Sequence, residues 1–225
     1  MKQLPLPIGV ETEPGFDTFV VGDNLAAVDA LRRLPIPSAP VYLWGPPGAG
    51  KSHLLAALAR QLRAEGARVG WFDARTPLPW HYDEGWWLVV IDDADRLDAD
   101  RQHAAFALFV EAATHGAQMA AAGRLPPVDL GVRDDLRTRL GWGQIHAIQP
   151  LGEAGTRAAL RREADRRGIF LSDELMDHLM TRFSRDLGSL MSLLDRLDRY
   201  ALAEGRPVTV PLLKKMLAEG EPATP

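Results

Sequence analysis

The sequence contains no cysteine and no apolar run that approaches the roughly 20 residues of a membrane-spanning helix. The absence of cysteine excludes disulfide bonds, thiolate zinc sites and cysteine nucleophiles. Positive charge is not in excess, since 26 Lys and Arg face 30 Asp and Glu, so no global field draws the chain onto nucleic acid or an anionic membrane. The amino-terminal stretch has one lysine before a proline-broken segment, and no signal peptide is expected. We therefore expect a cytoplasmic protein without membrane contact.

Strand and helix signals alternate along the first 150 residues. Short apolar runs predict strands at residues 41–45, 68–73, 86–93, 117–123 and 144–150. Helical spacing between many of them predicts a parallel α/β sheet covered by helices. From residue 151 the pattern changes to consecutive amphipathic helices punctuated by Gly and Asp. The predicted organisation is a flexible tail over residues 1–10, an α/β domain over 11–150 and a small all-α domain over 151–225.

The strongest motif is GPPGAGKS, which directly follows the first predicted strand and opens a helix. It fits the pattern G-x-x-x-x-G-K-[ST] of the phosphate-binding P-loop, in the context that this motif requires. Backbone amides would wrap around phosphates, Lys51 would reach the β- and γ-phosphates, and the Ser52 hydroxyl would bind Mg²⁺. The alternative is a Gly- and Pro-rich turn before a helix. The predicted contacts to ADP or ATP come from Gly45, Pro46, Pro47, Gly48, Ala49, Gly50, Lys51, Ser52 and His53.

Two carboxylates, Asp92 and Asp93, end the apolar run of the third predicted strand. The carboxyl end of a strand in a parallel sheet faces the ligand crevice. Beside a P-loop, Asp92 would help to hold the Mg²⁺ shell, and Asp93 would orient or polarise an attacking water. The alternative is that the two residues cap the next helix, a task for which Asp95 competes.

Three segments resemble the AAA+ ATPase domain of the bacterial replication initiator DnaA, namely FDTFVVGDNLAAVDAL, GPPGAGKSHLLAAL and VVIDDADRL. The segments DLRTRLGWGQIHAIQPL and SRDLGSL make the chain similar to the Hda family, whose members are short DnaA-related regulators that inactivate DnaA. The resemblance extends from the tail to residue 220. It implies an AAA+ P-loop core with a helical lid, in agreement with the strand and helix pattern.

The resemblance also assigns an arginine that acts on a partner. DLRTRL is similar to the family's box that contains the arginine finger, which would be Arg139. An arginine presented in trans neutralises charge at a bound γ-phosphate. The alternative is a surface arginine that pairs with Asp134 or Asp135.

Further nucleotide contacts follow from the same resemblance. SRDLGSL is similar to the lid helix whose arginine senses nucleotide, so Arg185 is the corresponding residue. Its alternative is a surface charge that faces Asp186 or Asp173. The adenine pocket of the family matches a short apolar segment, although such a trio is commonly core. That segment consists of Phe19, Val20 and Val21.

Two departures from the family pattern bear on activity. Where the family places a small polar residue to position the hydrolytic water, this strand ends in Ala122 and Gly123, with Arg124 next. This change casts doubt on efficient hydrolysis of the chain's own nucleotide. DnaA also carries a C-terminal helix-turn-helix domain, whereas this sequence stops soon after the lid. Direct sequence-specific DNA binding is therefore not expected.

In the Hda family the N-terminus carries a peptide that docks in the hydrophobic pocket of the DNA polymerase sliding clamp. QLPLP looks like that motif: Gln3 would anchor it through polar contacts, while Leu4 and Leu6 would fill apolar subsites. Pro5 and Pro7 pre-extend the backbone and lower the ordering cost of binding. The alternative is a disordered leader with incidental leucines.

The function that follows is a nucleotide-bound AAA+ regulator, tethered to the clamp, which lends Arg139 to ATP held by DnaA. Its expected partners are DnaA and the sliding clamp, and its expected ligands are ADP or ATP with Mg²⁺. Hydrolysis of its own nucleotide and formation of homo-oligomers stay open. One alternative is an autonomous DNA-acting AAA+ ATPase such as a helicase loader, against which the acidic balance counts. Another is a P-loop kinase, which the all-α lid and the pair Asp92 and Asp93 disfavour.

Overall fold

The computed structural model describes residues 13–183 and 186–220, which form two compact units. The first unit ends at Pro150 and the second begins at Leu151. The first is an α/β unit and the second consists of helices. Over these described ranges, no helix has both the length and the apolar character needed to cross a membrane.

The α/β unit is built on five parallel strands in the order β2-β3-β4-β1-β5. The strands are β1 (Val41–Trp44), β2 (Arg68–Phe72), β3 (Trp86–Ile91), β4 (Gln118–Gly123) and β5 (Gln144–Ala147). The predicted parallel α/β sheet is thus confirmed. Although alanine is poor in strands, the alanine-rich β4 is buried throughout between β3 and β1, where small side chains let helices pack closely.

Over the described residues, eight α-helices complete the two units. The first unit contains α1 (Leu25–Arg32), α2 (Lys51–Ala64), α3 (Ala99–His115) and α4 (Asp134–Leu140). The second contains α5 (Glu153–Arg166), α6 (Asp173–Arg182), α7 (Leu187–Glu204) and α8 (Val210–Gly220). Sequence reasoning missed α4 as a helix, because its seven residues span only two turns. It also missed the 3₁₀ turns at Ala94–Arg96 and Pro127–Asp129.

Alternate residues of the central strands bury into opposite faces of the sheet. Val41 and Leu43 of β1 belong to an apolar cluster with α1 and α2, whereas Tyr42 belongs to a second cluster with α3 and α4. In β3, Val90 joins the first cluster and Ile91 joins the second. Because both faces are covered, the strands read as continuous apolar runs, and their polar groups gather at the strand ends.

An ion-pair network reinforces the apolar core of the helical unit. Arg166 donates two hydrogen bonds to the Glu163 carboxylate, over 2.9 and 2.6 Å, and Arg167 donates a third over 2.6 Å. Arg167 also reaches across to Asp195 of α7, over 3.1 Å. The hydrogen bonds from Arg166 and Arg167 lower the pKa of Glu163 to about 2, against the effect of burial.

This network predicts a pH-dependent contribution to stability. A lowered folded pKa stabilises the protein above the ordinary carboxyl pKa, and the stabilisation disappears as pH falls toward the folded pKa of about 2. Glu163→Gln should lower the free energy of unfolding by about 1–2 kcal/mol at pH 7, allowing for solvent screening. Urea titrations should show this deficit unchanged between pH 7 and about pH 5, and shrinking as the pH falls further to 3. The control Asp165→Asn changes an exposed acid of the same helix, and an equal effect from it would contradict the assignment.

Candidate functional site

The loop between β1 and α2 carries the predicted phosphate-binding motif and lies at the carboxyl end of the central strands. Gly50 immediately precedes the helix with a φ of +96°, in the left-handed region that favours glycine. A Cβ atom placed there would lie 2.6 Å from the Phe19 ring, so a larger residue would clash. The loop therefore places the N-terminus of the 14-residue α2 at the carboxyl end of the sheet. The free backbone amides of a helix N-terminus are suited to bind an anion.

Lys51 is a buried cation bonded to neutral acceptors. Its side chain is only 6% exposed, and Nζ donates to the carbonyl oxygens of Gly45 and Pro46 over 2.8 and 2.9 Å. Burial lowers the pKa of Lys51, while the nearby Asp93 and Asp92 carboxylates oppose this effect. Burial removes the hydration that stabilises the ammonium, and an anion beside it would offset that loss.

Ser52 and Asp92 are near neighbours at this loop. Burial raises the pKa of the Asp92 carboxyl above its usual range, and the neighbouring Ser52 hydroxyl opposes that effect. A hydroxyl and a carboxylate are hard oxygen ligands of the kind that Mg²⁺ prefers, together with phosphate oxygens and water. The donor set therefore fits Mg²⁺, and the assignment of these two residues to the metal stays a prediction.

Asp93 adopts an unusual backbone conformation at the end of β3. Its φ is +49°, the sole positive value for a non-glycine residue in the described parts of the chain. Its amide donates to the Asp92 carboxylate over 2.9 Å, and its own carboxylate lies 3.6 Å from Arg96. Strained residues of this kind cluster at functional sites. Helix α3 is capped by Asp98 instead, so the capping alternative for the two aspartates does not hold for that helix.

The segment before α1 packs on the first turn of α2. Nε2 of His53 lies 2.9 Å from the carbonyl oxygen of Gly15 and 3.2 Å from the Thr18 hydroxyl. The Phe19 ring stands 5.5 Å from the His53 ring, centre to centre. Residues 20 and 21 follow directly, and Val21 packs against the apolar cluster of α1 and α2. The structure thus brings the predicted adenine-pocket segment next to the P-loop.

Two hydrogen bonds that the sequence did not reveal connect this segment to the residue that follows β5, the edge strand beside β1. Asn24 is 3% exposed, donates to the carbonyl oxygen of Gln149 over 2.9 Å and accepts from its amide over 2.7 Å. Asn24 precedes α1, whereas Gln149 follows β5. The two residues are 125 positions apart, and neither shows a motif that would have revealed the contact.

The last two residues of β4, Ala122 and Gly123, have no polar side chain that would position a water molecule. A Cβ atom on Gly123 would lie 2.1 Å from Oη of Tyr42, which itself donates to the carbonyl oxygen of Leu125 over 3.0 Å. Arg124 donates to Asp95 through its amide over 3.0 Å and through Nε over 2.5 Å. A tyrosine hydroxyl and an arginine–carboxylate pair therefore occupy this strand end, and no side chain fits at Gly123.

Helix α4 presents three arginines near its ends, with different partners. Arg133 binds Asp135 through two 2.7 Å hydrogen bonds, and Arg137 binds Asp134 over 2.7 Å. Over the described residues, Arg139 has no ion pair or side-chain hydrogen bond, and its guanidinium lies 5.6 Å from the centre of the Trp142 ring. The alternative pairing of Arg139 with Asp134 or Asp135 is thus not found, because other arginines occupy both acids.

Two groups of predicted residues cannot be placed. Arg185 and the tail residues Gln3, Leu4, Pro5, Leu6 and Pro7 lie outside the described residues. The remaining predicted residues divide into two sets. Those from the P-loop, the end of β3 and the segment before α1 gather on one side of the α/β unit, and Arg139 belongs to a separate helix.

The comparisons with known proteins agree with this architecture. A family model of the Hda lid domain matches residues 153–217. The fold is similar to domain III of the replication initiation protein DnaA from Thermotoga maritima, with a TM-score of 0.72 and 20% identity over 91% of this chain and 95% of that chain. AMPPCP-bound DnaA from Aquifex aeolicus matches with a TM-score of 0.67 and 20% identity over 92% of this chain and 70% of that chain. A RuvB variant from Thermotoga maritima matches with a TM-score of 0.62 and 16% identity over 92% of this chain and 72% of that chain. The predicted AAA+ fold with a helical lid is confirmed.

The packing at the end of β4 yields a stability prediction. Gly123→Ala should destabilise the protein by about 1–3 kcal/mol, because the new methyl group overlaps the Tyr42 hydroxyl. In a Tyr42→Phe background the same change should cost clearly less, since the nearest remaining ring atom lies 3.2 Å away. Chemical denaturation of the four proteins measures this coupling. Gly131→Ala is the matched control, because a Cβ there meets nothing within 4 Å. Equal costs in both backgrounds would contradict the steric account.

Proposed function

We propose that this chain, which is a DnaA-related AAA+ protein with an Hda lid domain, is a nucleotide-bound regulator of replication initiation that stimulates hydrolysis of ATP held by DnaA. One observation carries this proposal more than any other. Over the described residues, Arg139 has no acidic partner, although it sits on a helix whose other arginines are paired. A cation left in this state is available to a negative charge on another molecule.

The chain's own site supports the binding of ADP or ATP. The P-loop amides and Lys51 would hold the phosphates, while Ser52 and Asp92 would hold Mg²⁺ beside them. When bound, the metal ion neutralises phosphate charge. The segment containing Phe19, Val20 and Val21 would line the base pocket, next to His53. The DnaA structure of similar fold that binds AMPPCP supports this assignment, and Arg185 is proposed as the nucleotide sensor.

The same site is poorly built for turnover. Asp93 is the candidate for orienting a water molecule, but Gly123 offers no polar side chain at the neighbouring strand end. Asp95 and Arg124 are bound to each other there, so neither is free to assist. These contacts favour a regulator that retains its nucleotide over the alternative, an autonomous DNA-acting ATPase. The fold itself does not discriminate, since RuvB is also similar.

Arg139 would act on a nucleotide that the partner holds. A guanidinium is always charged and presents a planar fork of donors that matches phosphate oxygens. Directed at the γ-phosphate of ATP bound to DnaA, it would stabilise the charge that develops in the transition state. The chain thereby completes a site on DnaA without using its own.

The tail would hold the regulator at the sliding clamp. Gln3, Leu4 and Leu6 are proposed to dock in the apolar pocket of the sliding clamp, with Pro5 and Pro7 keeping the peptide extended. Clamp loaded on DNA would then concentrate the regulator where replication is under way. This tether raises the effective concentration of Arg139 near DnaA without adding contacts to the nucleotide.

The nucleotide assignment predicts that Lys51→Ala abolishes measurable binding of ADP. Lys51 is the cation that would contact the phosphates from within the loop. Its removal also deletes the hydrogen bonds that its ammonium donates to the carbonyl oxygens of Gly45 and Pro46. Isothermal calorimetry with Mg²⁺ and ADP measures the effect. Arg63→Ala, at the far end of the same helix, is the control and should bind normally. Wild-type affinity in Lys51→Ala would refute the assignment.

The central prediction concerns Arg139→Ala. This variant should fold, bind ADP and bind the clamp as the wild type does, yet lose the stimulation of hydrolysis by about 10³-fold or more. The assay follows conversion of ATP to ADP on DnaA in the presence of DNA-loaded clamp. Arg139→Lys should rescue it poorly, because an ammonium does not reproduce the planar fork.

Arg137→Ala provides the matched control for that experiment. It removes an arginine from the same helix, but one that is paired with Asp134, and stimulation should persist. Stimulation at the wild-type rate by Arg139→Ala would show that the arginine finger lies elsewhere or that the regulator proposal is wrong.

A further inference from the structure

Trp142 is a large apolar side chain that the fold leaves in solvent. It is 68% exposed, whereas the neighbouring Leu136 and Leu140 of α4 are fully buried. A tryptophan in this position contributes little to the core. Its ring instead contacts the guanidinium of Arg139, at 5.6 Å from ring centre to Cζ, which is within the range of a cation–π interaction.

The backbone around Trp142 is fixed at both ends. On one side, where α4 ends, the backbone amide of Trp142 donates a 3.4 Å hydrogen bond to the carbonyl oxygen of Arg139. On the other side a Cβ atom on Gly143 would lie 1.9 Å from the carbonyl oxygen of Pro40, which also accepts a 2.8 Å hydrogen bond from the Gln144 amide. This close approach connects the turn to the start of β1. Backbone contacts therefore hold the segment that carries the ring on both sides.

A further exposed apolar side chain lies on a neighbouring turn. Val128 is 79% exposed and follows Pro127, whose Cβ atom lies 3.3 Å from the position of a Cβ on Gly141. The turn before Trp142 thus adjoins the turn that carries Val128. An unpaired cation bordered by exposed apolar side chains fits a protein partner that presents an anion, since the apolar border would exclude water from the charge contact.

We propose that Trp142 is a positioning residue for Arg139. Asp134 and Asp135 are bound by other arginines, and the ring supports the free guanidinium and keeps it extended toward the phosphates of a nucleotide-bound partner. When the partner covers the pair, loss of water strengthens the cation–π contact and fixes the arginine in the productive orientation. This inference rests on the proposed function, in which Arg139 acts on ATP held by DnaA.

The test compares Trp142→Phe, which retains an aromatic face, with Trp142→Leu, which retains only apolar volume. Each protein is titrated with DnaA–ATP in the presence of DNA-loaded clamp, so that the maximal rate and the half-saturating concentration are separated. Trp142→Leu should lower the maximal rate by about 5- to 30-fold, in line with a cation–π contact that becomes desolvated. Trp142→Phe should recover most of that loss. Binding of ADP and of clamp should be unchanged in both.

A double-mutant comparison and a partner-free readout complete the test. In an Arg139→Ala background, Trp142→Leu should cause no further loss, because its effect passes through the arginine. Proton NMR of the isolated protein should show the Arg139 side-chain signals shifted upfield by the ring in the wild type, and unshifted in Trp142→Leu.

The outcomes separate the inference from the function on which it rests. A fully active Trp142→Leu beside an inactive Arg139→Ala would overturn the positioning role and leave the proposed function standing. Equal loss in Trp142→Phe and Trp142→Leu, or a change confined to half-saturation, would also overturn it in favour of simple docking. An active Arg139→Ala would overturn both.

Discussion

The candidate site depends on one constraint, the burial of the Lys51 ammonium inside a loop that offers it only carbonyl oxygens. The loop is confined between buried β1 and α2, and Phe19 closes over its last glycine. Because Asp92 and Asp93 lie nearby and oppose the effect of burial, the charge is tolerated until an anion supplies the missing partner. The contacts of His53 with the Gly15 carbonyl oxygen and the Phe19 ring are made from the first turn of the same helix.

The two candidate functional regions of the α/β unit are built on opposite principles. At the P-loop the Lys51 ammonium is buried and bonded to backbone carbonyl oxygens, and the strand end at Gly123 is closed by the Tyr42 hydroxyl. Around Arg139 the described surface is open, with an unpaired cation and an exposed tryptophan. A nucleotide site whose neighbouring strand end has no polar side chain to position water favours retention of the nucleotide over its hydrolysis. An arginine without an acidic partner favours action on another molecule, which is the division of work that the proposed regulator requires.

The sequence predicted those features that arise locally. The strands, the P-loop and the aspartates at the end of β3 follow from apolar runs and short motifs, and even the weak strand signal at β4 was correct. The sequence did not reveal contacts between remote positions. Examples are the hydrogen bonds between Asn24 and Gln149, which are 125 residues apart, and the ion pair between Asp95 and Arg124, which are 29 residues apart. Single polar residues carry no pattern that names a distant partner, so only the packed fold brings such pairs together.

The most direct measurement of the central claim is a dual-label single-turnover experiment. The chain is loaded with ATP carrying one phosphorus isotope at the γ-position, DnaA is loaded with ATP carrying another, and both are mixed with DNA-loaded clamp. The account predicts rapid release of phosphate from the DnaA label alone, with the chain's own label retained. Release of the chain's own label at a comparable rate, or no acceleration of release from DnaA, would contradict it.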